Sequence, residues 1–246
     1  MLIAILSDIH GNREALDACL DHARRRGAKQ FVFLGDLVGY GADPLYVIDR
    51  VAELRDAGAL VIKGNHDAAI ANPQESMNTY ARVALDWTRA KLNAAQTAFL
   101  ASLPLTATLG EMLFVHAEAS HPAKWIYISR LVEAERSMNA SQMRVTVSGH
   151  IHRPHLYHMP PQKPASCFVP STDVPILLAK SHKWHAIIGS VGQPRDEIPS
   201  AAYALYDDAS GSFTFARAPY DIERAARKIK AAGLPAILSA RLYIGR

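Results

Sequence analysis

Cysteine is nearly absent from this 246-residue chain: only Cys19 and Cys167 occur, far apart and in no C-x-x-C pattern. That excludes a disulfide scaffold and fits reduced thiols in a reducing compartment. Long hydrophobic runs are also missing. The longest apolar stretches have the length of strands, well short of the roughly 20 residues that span a bilayer. Met1 to Leu6 is apolar, yet it runs directly into Ser7-Asp8 without a basic leader or a small-residue cleavage site, so it does not read as a signal peptide. A cytoplasmic location with no membrane partner is expected. Without secretion, the glycosylation pattern Asn139-Ala140-Ser141 is idle. A large excess of charge of either sign is missing too. A net charge of +4 permits and modestly steers an anionic substrate, but it does not establish nucleic-acid binding. The single compact basic run, Arg24-Arg25-Arg26, precedes Gly27 and reads as a solvated helix end, where cations are favoured. No aromatic residues interleave with it, so stable nucleic-acid binding is not expected. Homo-oligomerisation is left open.

Ordinary proportions of apolar residues (49%) and charged residues (20%) predict a globular chain. Leu2 to Leu6 is an apolar run of strand length. From Asn12 to Arg26, Ala15, Leu16, Cys19, Leu20 and Ala23 recur at helical spacing, and Gln30 to Leu34 forms the next run. Such a strand-helix-strand unit with buried strands implies parallel pairing through a right-handed crossover. The pattern repeats with a helix from Pro44 to Ala57, where Pro44 suits a first turn, and a strand from Leu60 to Ile62. Helices are predicted over about Asn78–Leu92 and Ala94–Ser102. Short strands follow, interrupted by a helix over about Ser129–Asn139 and by a Pro- and Ser-rich stretch, Pro160 to Pro175, that reads as a long surface loop. Asp208-Ala209-Ser210-Gly211 fits a hairpin loop, and a helix is predicted from Asp221 to Ala232. The expected architecture is an α/β arrangement of four layers, two sheets face to face with helices outside, in a single domain over residues 1–246.

The chemistry lies in five polar clusters, each at the end of an apolar run: Asp8-Ile9-His10, Gly35-Asp36, Gly64-Asn65-His66-Asp67, His116, and Gly149-His150-Ile151-His152. In α/β sheets functional groups gather beyond the carboxyl ends of strands, so all five are expected at one edge. Carboxylate oxygen and imidazole nitrogen suit Mn, Fe or Zn. Two such ions side by side can activate water and neutralise a phosphoryl group, with Asp36 expected to bridge them. The remaining histidines belong to no ligand pattern; His121 is the one closest in sequence to His116.

In this order the clusters D-x-H, G-D, G-N-H-D, H and G-H-x-H resemble the calcineurin-like metallophosphoesterase superfamily. Ser7 to Asn12, Gly35 to Gly41 and Gly189 to Asp196 are similar to its small bacterial branch, near the YfcE-like phosphodiesterases. The resemblance runs over nearly the whole chain. It implies an α-β-β-α sandwich of two mixed β-sheets flanked by helices, and two divalent metal ions (Mn, Fe or Zn). Asp8, His10, Asp36 and His152 would hold one ion; Asp36, Asn65, His116 and His150 the other. It further implies a metal-bridging hydroxide as nucleophile and His66 as general acid, with Asp67 orienting the imidazole. Protein serine/threonine phosphatases of the superfamily carry Asp-Arg where this chain has Gly39-Tyr40, so that arginine fork onto phosphate is missing. Ala117 stands where close relatives often have glycine. Arg153 and Arg195 are the substitutes expected to contact phosphate, with Asn65 and Tyr40 beside them, although Arg195 could equally pair with Asp196. The resulting expectation is a phosphodiesterase or phosphatase acting on small phosphoesters. The alternatives are a nucleotide-directed hydrolase (cyclic nucleotides or dinucleoside polyphosphates) and a non-catalytic protein-binding scaffold.

Overall fold

A computed structural model describes residues 1–246. The first sheet contains β1 (Leu2–Leu6), β2 (Gln30–Phe33), β3 (Leu60–Val61), β9 (Ile176–Leu177), β11 (Ala201–Asp207) and β12 (Ser212–Ala218), in the spatial order β3-β2-β1-β11-β12-β9. The second contains β4 (Thr106–Leu109), β5 (Met112–Val115), β6 (Val145–Ser148), β7 (His155–Met159), β8 (Ser166–Phe168) and β10 (Lys183–Ile187), in the order β4-β5-β6-β10-β7-β8. Both are mixed. β1, β2 and β3 run parallel, as do β5, β6 and β10, and every other neighbouring pair is antiparallel.

Alternation along the strands builds the layers, because successive side chains point to opposite faces. On β1, Ile3 and Ile5 join Val32, Phe114, Val147, Ala186 and Phe213 in a core between the two sheets. Ala4 and Leu6 point the other way, to a core shared with α1 (Arg13–Arg25), α2 (Pro44–Asp56) and α5 (Ala94–Ser102). Behind the second sheet, α6 (Leu131–Asn139) packs Ala134 and Met138 against Tyr157 and Ile187. α4 (Thr79–Arg89), α7 (Ile222–Ala231) and α8 (Ala236–Ile244) gather around Ala81, Ala226 and Leu238. This is the expected α-β-β-α sandwich. No helix is long and apolar enough to cross a membrane.

Caps set the helix starts within a residue or two of the predicted bounds. The Asn12 side chain accepts from the Ala15 amide at the start of α1, and Asp221 does the same for Arg224 at the start of α7. The basic run is spent on the surface, where Arg24 pairs with Asp21 and Arg26 with Asp173. The structure departs from the expectations in two places. Residues Asn65–Ala71 form a short helix, α3; at seven residues it is too brief to display a periodic apolar face. The stretch Pro160 to Pro175 contains the edge strand β8, which pairs with β7, and because all three of its residues are exposed it carries no apolar alternation.

Candidate metal centre

β1, β2, β3, β5 and β6 all end at the same edge, where their loops are stitched together by backbone bonds. The Asp8 and His10 amides donate to the Gly35 and Asp36 carbonyls (3.0 and 2.9 Å), and the Val191 and Gly192 amides, beyond β10, donate to Ser7 and Asp8 (both 2.9 Å). The last two of these bonds tie the first sheet to the second. The His150 amide adds one more, to Asp8 Oδ2 at 3.0 Å. Ten non-glycine residues have positive φ, and seven of them are here: Asp8, His10, Asp36, Tyr40, Trp125, His150 and His152. Left-handed backbone costs roughly 1–3 kcal/mol per residue and concentrates at functional sites.

Each of four histidines has one ring nitrogen on a backbone carbonyl. Nδ1 of His10 meets the Val38 carbonyl at 3.0 Å, Nδ1 of His116 meets Leu34 at 2.7 Å, Nδ1 of His152 meets Gln193 at 2.6 Å, and Nε2 of His150 meets Trp125 at 2.9 Å. A carbonyl only accepts, so these nitrogens carry the hydrogen and the opposite nitrogen of each neutral ring presents its lone pair. Those lone pairs converge on carboxylates. Nε2 of His10 and His152 face each other at 3.1 Å. His152 Nε2 is 3.2 Å from Asp8 Oδ1, and His116 Nε2 is 3.1 Å from Asn65 Oδ1. Asp36 Oδ2 lies between the two halves, 3.7 Å from His10 Nε2 and 3.4 Å from His116 Nε2. Asp8 Oδ1 is buried without a hydrogen-bond donor.

A buried group of acceptors facing acceptors needs a cation among them. The side chains fall into clusters able to hold a metal, Asp8-His10-His152 and Asp36-His116-His150 among them. Fixing each imidazole through its far nitrogen is the outer-shell arrangement that metal-ligating histidines use. The titration of these groups agrees. Burial lowers the His116 imidazole, but Asp36 and Asp8 outweigh it and raise it to about 9, so the pocket draws a proton in when nothing else neutralises it. Burial opposes ionisation of Asp8 and Asp36, yet His152 beside the one and His116 beside the other hold both carboxyls below the usual range. His150 is pushed by burial and by His116 down to about 3, and burial lowers His10 well below its ordinary value.

His66 differs from the other four. Its Nδ1 is buried with no partner, and its Nε2 is 4.0 Å from Asp36 Oδ2. Burial lowers its imidazole to about 4, against the pull of Asp36. Asp67, which was expected to orient this ring, makes no hydrogen bond to it. Asp67 Oδ1 accepts from the Leu37 amide and Oδ2 from the Gly64 amide, both at 2.9 Å, so the carboxylate clips the β2 loop to the β3 loop. Its place on the first turn of α3 aims it at backbone donors. Gly39 does part of the work assigned to Asp67. With φ of +87°, it lies flush against the His66 ring, and a Cβ there would collide with Nδ1.

The expected phosphate contacts divide. Arg195 makes no ion pair with Asp196, which pairs with Arg217 instead. One Arg195 Nη donates to the Gln193 side chain, its Nε is buried without a partner, and its guanidinium lies over the Tyr40 ring. Its charge bears on both His66 and His152. Arg153 is exposed, with its Nε committed to the Arg195 carbonyl. Tyr40 is only 4% exposed and packs 4.6 Å from the His10 ring and 4.7 Å from the His66 ring, which makes it a wall of the site instead of an open contact. His121 is exposed and bonded to Ser120. Three residues escaped the reading of the sequence. Gln193 and Trp125 act through backbone carbonyls, which leave no residue-type signal, and Tyr127 stacks on His150 with ring centroids 4.2 Å apart.

A model of the calcineurin-like phosphoesterase superfamily domain matches residues 1–210. The chain is 33% identical to an uncharacterized protein of Methanocaldococcus jannaschii over all of its own length and 98% of the relative's. Its fold is similar to that of a metallophosphoesterase from Sphaerobacter thermophilus, with a TM-score of 0.87 and 33% identity over the whole of both chains. A hypothetical protein from Pyrococcus horikoshii shares the fold with a TM-score of 0.80 at 20% identity, covering 100% of this chain and 98% of that one.

Proposed function

We propose that this chain, which belongs to the calcineurin-like phosphoesterase superfamily, is a phosphoesterase that hydrolyses small phosphomonoesters or phosphodiesters at a dinuclear metal site. The observation that carries this reading is the convergence of four imidazole lone pairs on Asp8, Asp36 and Asn65 while a fifth imidazole, His66, stands beside them unclipped. Asp8, His10, Asp36 and His152 would hold one divalent ion, and Asp36, Asn65, His116 and His150 the other, with Asp36 shared. Mn, Fe and Zn all suit this donor set. Bound there, the ions supply positive charge for the phosphoryl oxygens and lower the pKa of water.

The residues of the chain supply the rest. His66 would hand a proton to the departing alkoxide from Nε2, the ring nitrogen that faces Asp36. Asp36 Oδ1 accepts from the His66 amide at 2.8 Å, which ties the acid to the shared ligand. Arg195, without an ion-pair partner, binds a substrate phosphoryl oxygen. Asp67 keeps the β2 and β3 loops in register, and with them Asp36 and Asn65, both of which face His116 Nε2. Two free cysteines, Cys19 buried and Cys167 exposed, agree with residence in the cytoplasm.

The test is an assay of bis(p-nitrophenyl) phosphate beside p-nitrophenyl phosphate with added Mn, for wild type and Asp36→Asn. Metal-dependent hydrolysis by wild type that falls in the variant supports the reading; equal background rates in both favour a non-catalytic scaffold.

A further inference from the structure

Tyr127 is 53% exposed, yet its position is fixed on both sides. Two residues before it, the Trp125 carbonyl accepts the His150 ring N–H at 2.9 Å, and Trp125 takes the left-handed backbone that aims the carbonyl there. One residue after it, Ile128 is 2% exposed and anchored among Ala134, Met138, Tyr157 and Ile187. Between this clip and this anchor the Tyr127 ring lies nearly parallel to the His150 imidazole, at 25° and 4.2 Å between centroids. Burying a large ring on one side only, at the edge of a polar site, leaves apolar surface that water covers poorly. Covering His150 does not by itself require so large a ring on an exposed loop.

We propose that Tyr127 is a specificity-determining residue whose open side stacks the base of a nucleotide while the phosphate lies over the metal cluster. The inference rests on the hydrolase reading and narrows its substrates to base-bearing phosphate esters. Its ring stands one imidazole away from the atoms that would hold the phosphate, and a ribose bridges such a gap between base and phosphate. Aromatic stacking tolerates any base, because every base has a π face. Arg195 supplies the complementary charge beside the cluster: its guanidinium lies over the Tyr40 ring, which packs against His10 and His66.

The experiment is calorimetric titration of the full-length, Mn-loaded protein with adenosine 5′-monophosphate and with ribose 5-phosphate, which differ only in the base. Wild type should bind the nucleotide about tenfold more tightly. Tyr127→Phe should keep that ratio; Tyr127→Ala should bring it close to one. The proposal is overturned if wild type binds the two alike, if Tyr127→Ala keeps the ratio, or if it weakens both equally, as a purely structural ring over His150 would. Equal binding together with hydrolysis of bis(p-nitrophenyl) phosphate removes the platform and leaves the hydrolase reading standing. Binding of neither ligand, without hydrolysis, removes both.

Discussion

The Nε2 atoms of His10 and His152 face each other at 3.1 Å while the Nδ1 of each is bonded to a carbonyl, Val38 for one and Gln193 for the other. Two lone pairs held that close repel unless a cation lies near them. Folding therefore stores an electrostatic debt that a divalent ion relieves, and several further relationships can be tested from this one.

Chelation should destabilise the protein. A ligand that binds only the folded state adds about 2.7 kcal/mol when present at a hundred times its dissociation constant. Thermal unfolding monitored with EDTA and then with restored Mn should show the midpoint fall and recover by several degrees. Asp36→Asn, which removes charge from the shared position, should respond weakly to either treatment. An unchanged wild-type midpoint would sink the metal centre.

His66→Ala should lower kcat by about 10² to 10⁴ on esters with alkoxide leaving groups, the range expected for a lost general acid. The loss should be much smaller on p-nitrophenyl esters, whose leaving group departs without a proton. Gly39→Ala, whose new Cβ would displace the His66 ring, should show the same dependence on leaving group. Equal losses on both kinds of ester would mean that the imidazole does not donate the proton.

Asp67→Asn should act first on stability. Asn offers one carbonyl oxygen where the carboxylate now accepts from both Leu37 and Gly64, so one buried N–H loses its partner at a cost of about 1–3 kcal/mol. Urea unfolding of the chelated protein reads this directly. If stability is unchanged and only the pH profile of hydrolysis moves, Asp67 serves the His66 ring after all.

His185 predicts acid sensitivity away from the metal centre. It is fully buried on β10, with Nε2 bonded to Ser148 Oγ at 2.8 Å and Nδ1 unpartnered. Burial pushes its imidazole down to about 3. Below the ordinary value near 6.5 the unfolded chain therefore binds a proton that the folded chain refuses. Stability from this group is complete above that value and is lost as pH falls towards 3, at up to about 1.4 kcal/mol per pH unit. Urea titrations of chelated protein between pH 7 and 4 should show a shallower decline for His185→Gln than for wild type. Parallel declines would assign the acid sensitivity elsewhere.

Much of the frame was legible because burial imposes periodicity. Leu2–Leu6 and Ala94–Ser102 form elements with the bounds their spacing predicts, and the strand ends carry Asp8, Asp36, His116 and His150 to one edge as parallel β-α-β order requires. α3 was not legible, since seven residues that begin with Asn65-His66-Asp67 show function before they show an apolar face. Nor was β8, an exposed edge strand without alternation.

Residue type and order by themselves determined that carboxylates and imidazoles sufficient for two ions stand at the ends of successive strands, because those side chains have few other uses in that series. Only the tertiary structure decided which nitrogen each imidazole presents, that Asp67 serves two backbone amides, that Tyr40 is walled in, and that Tyr127 is left open beside His150. The reason is physical: a side chain's chemistry is written in its formula, but its direction and its partners are set by atoms distant in sequence, often backbone carbonyls, such as those of Val38 and Gln193, to which every residue type contributes alike.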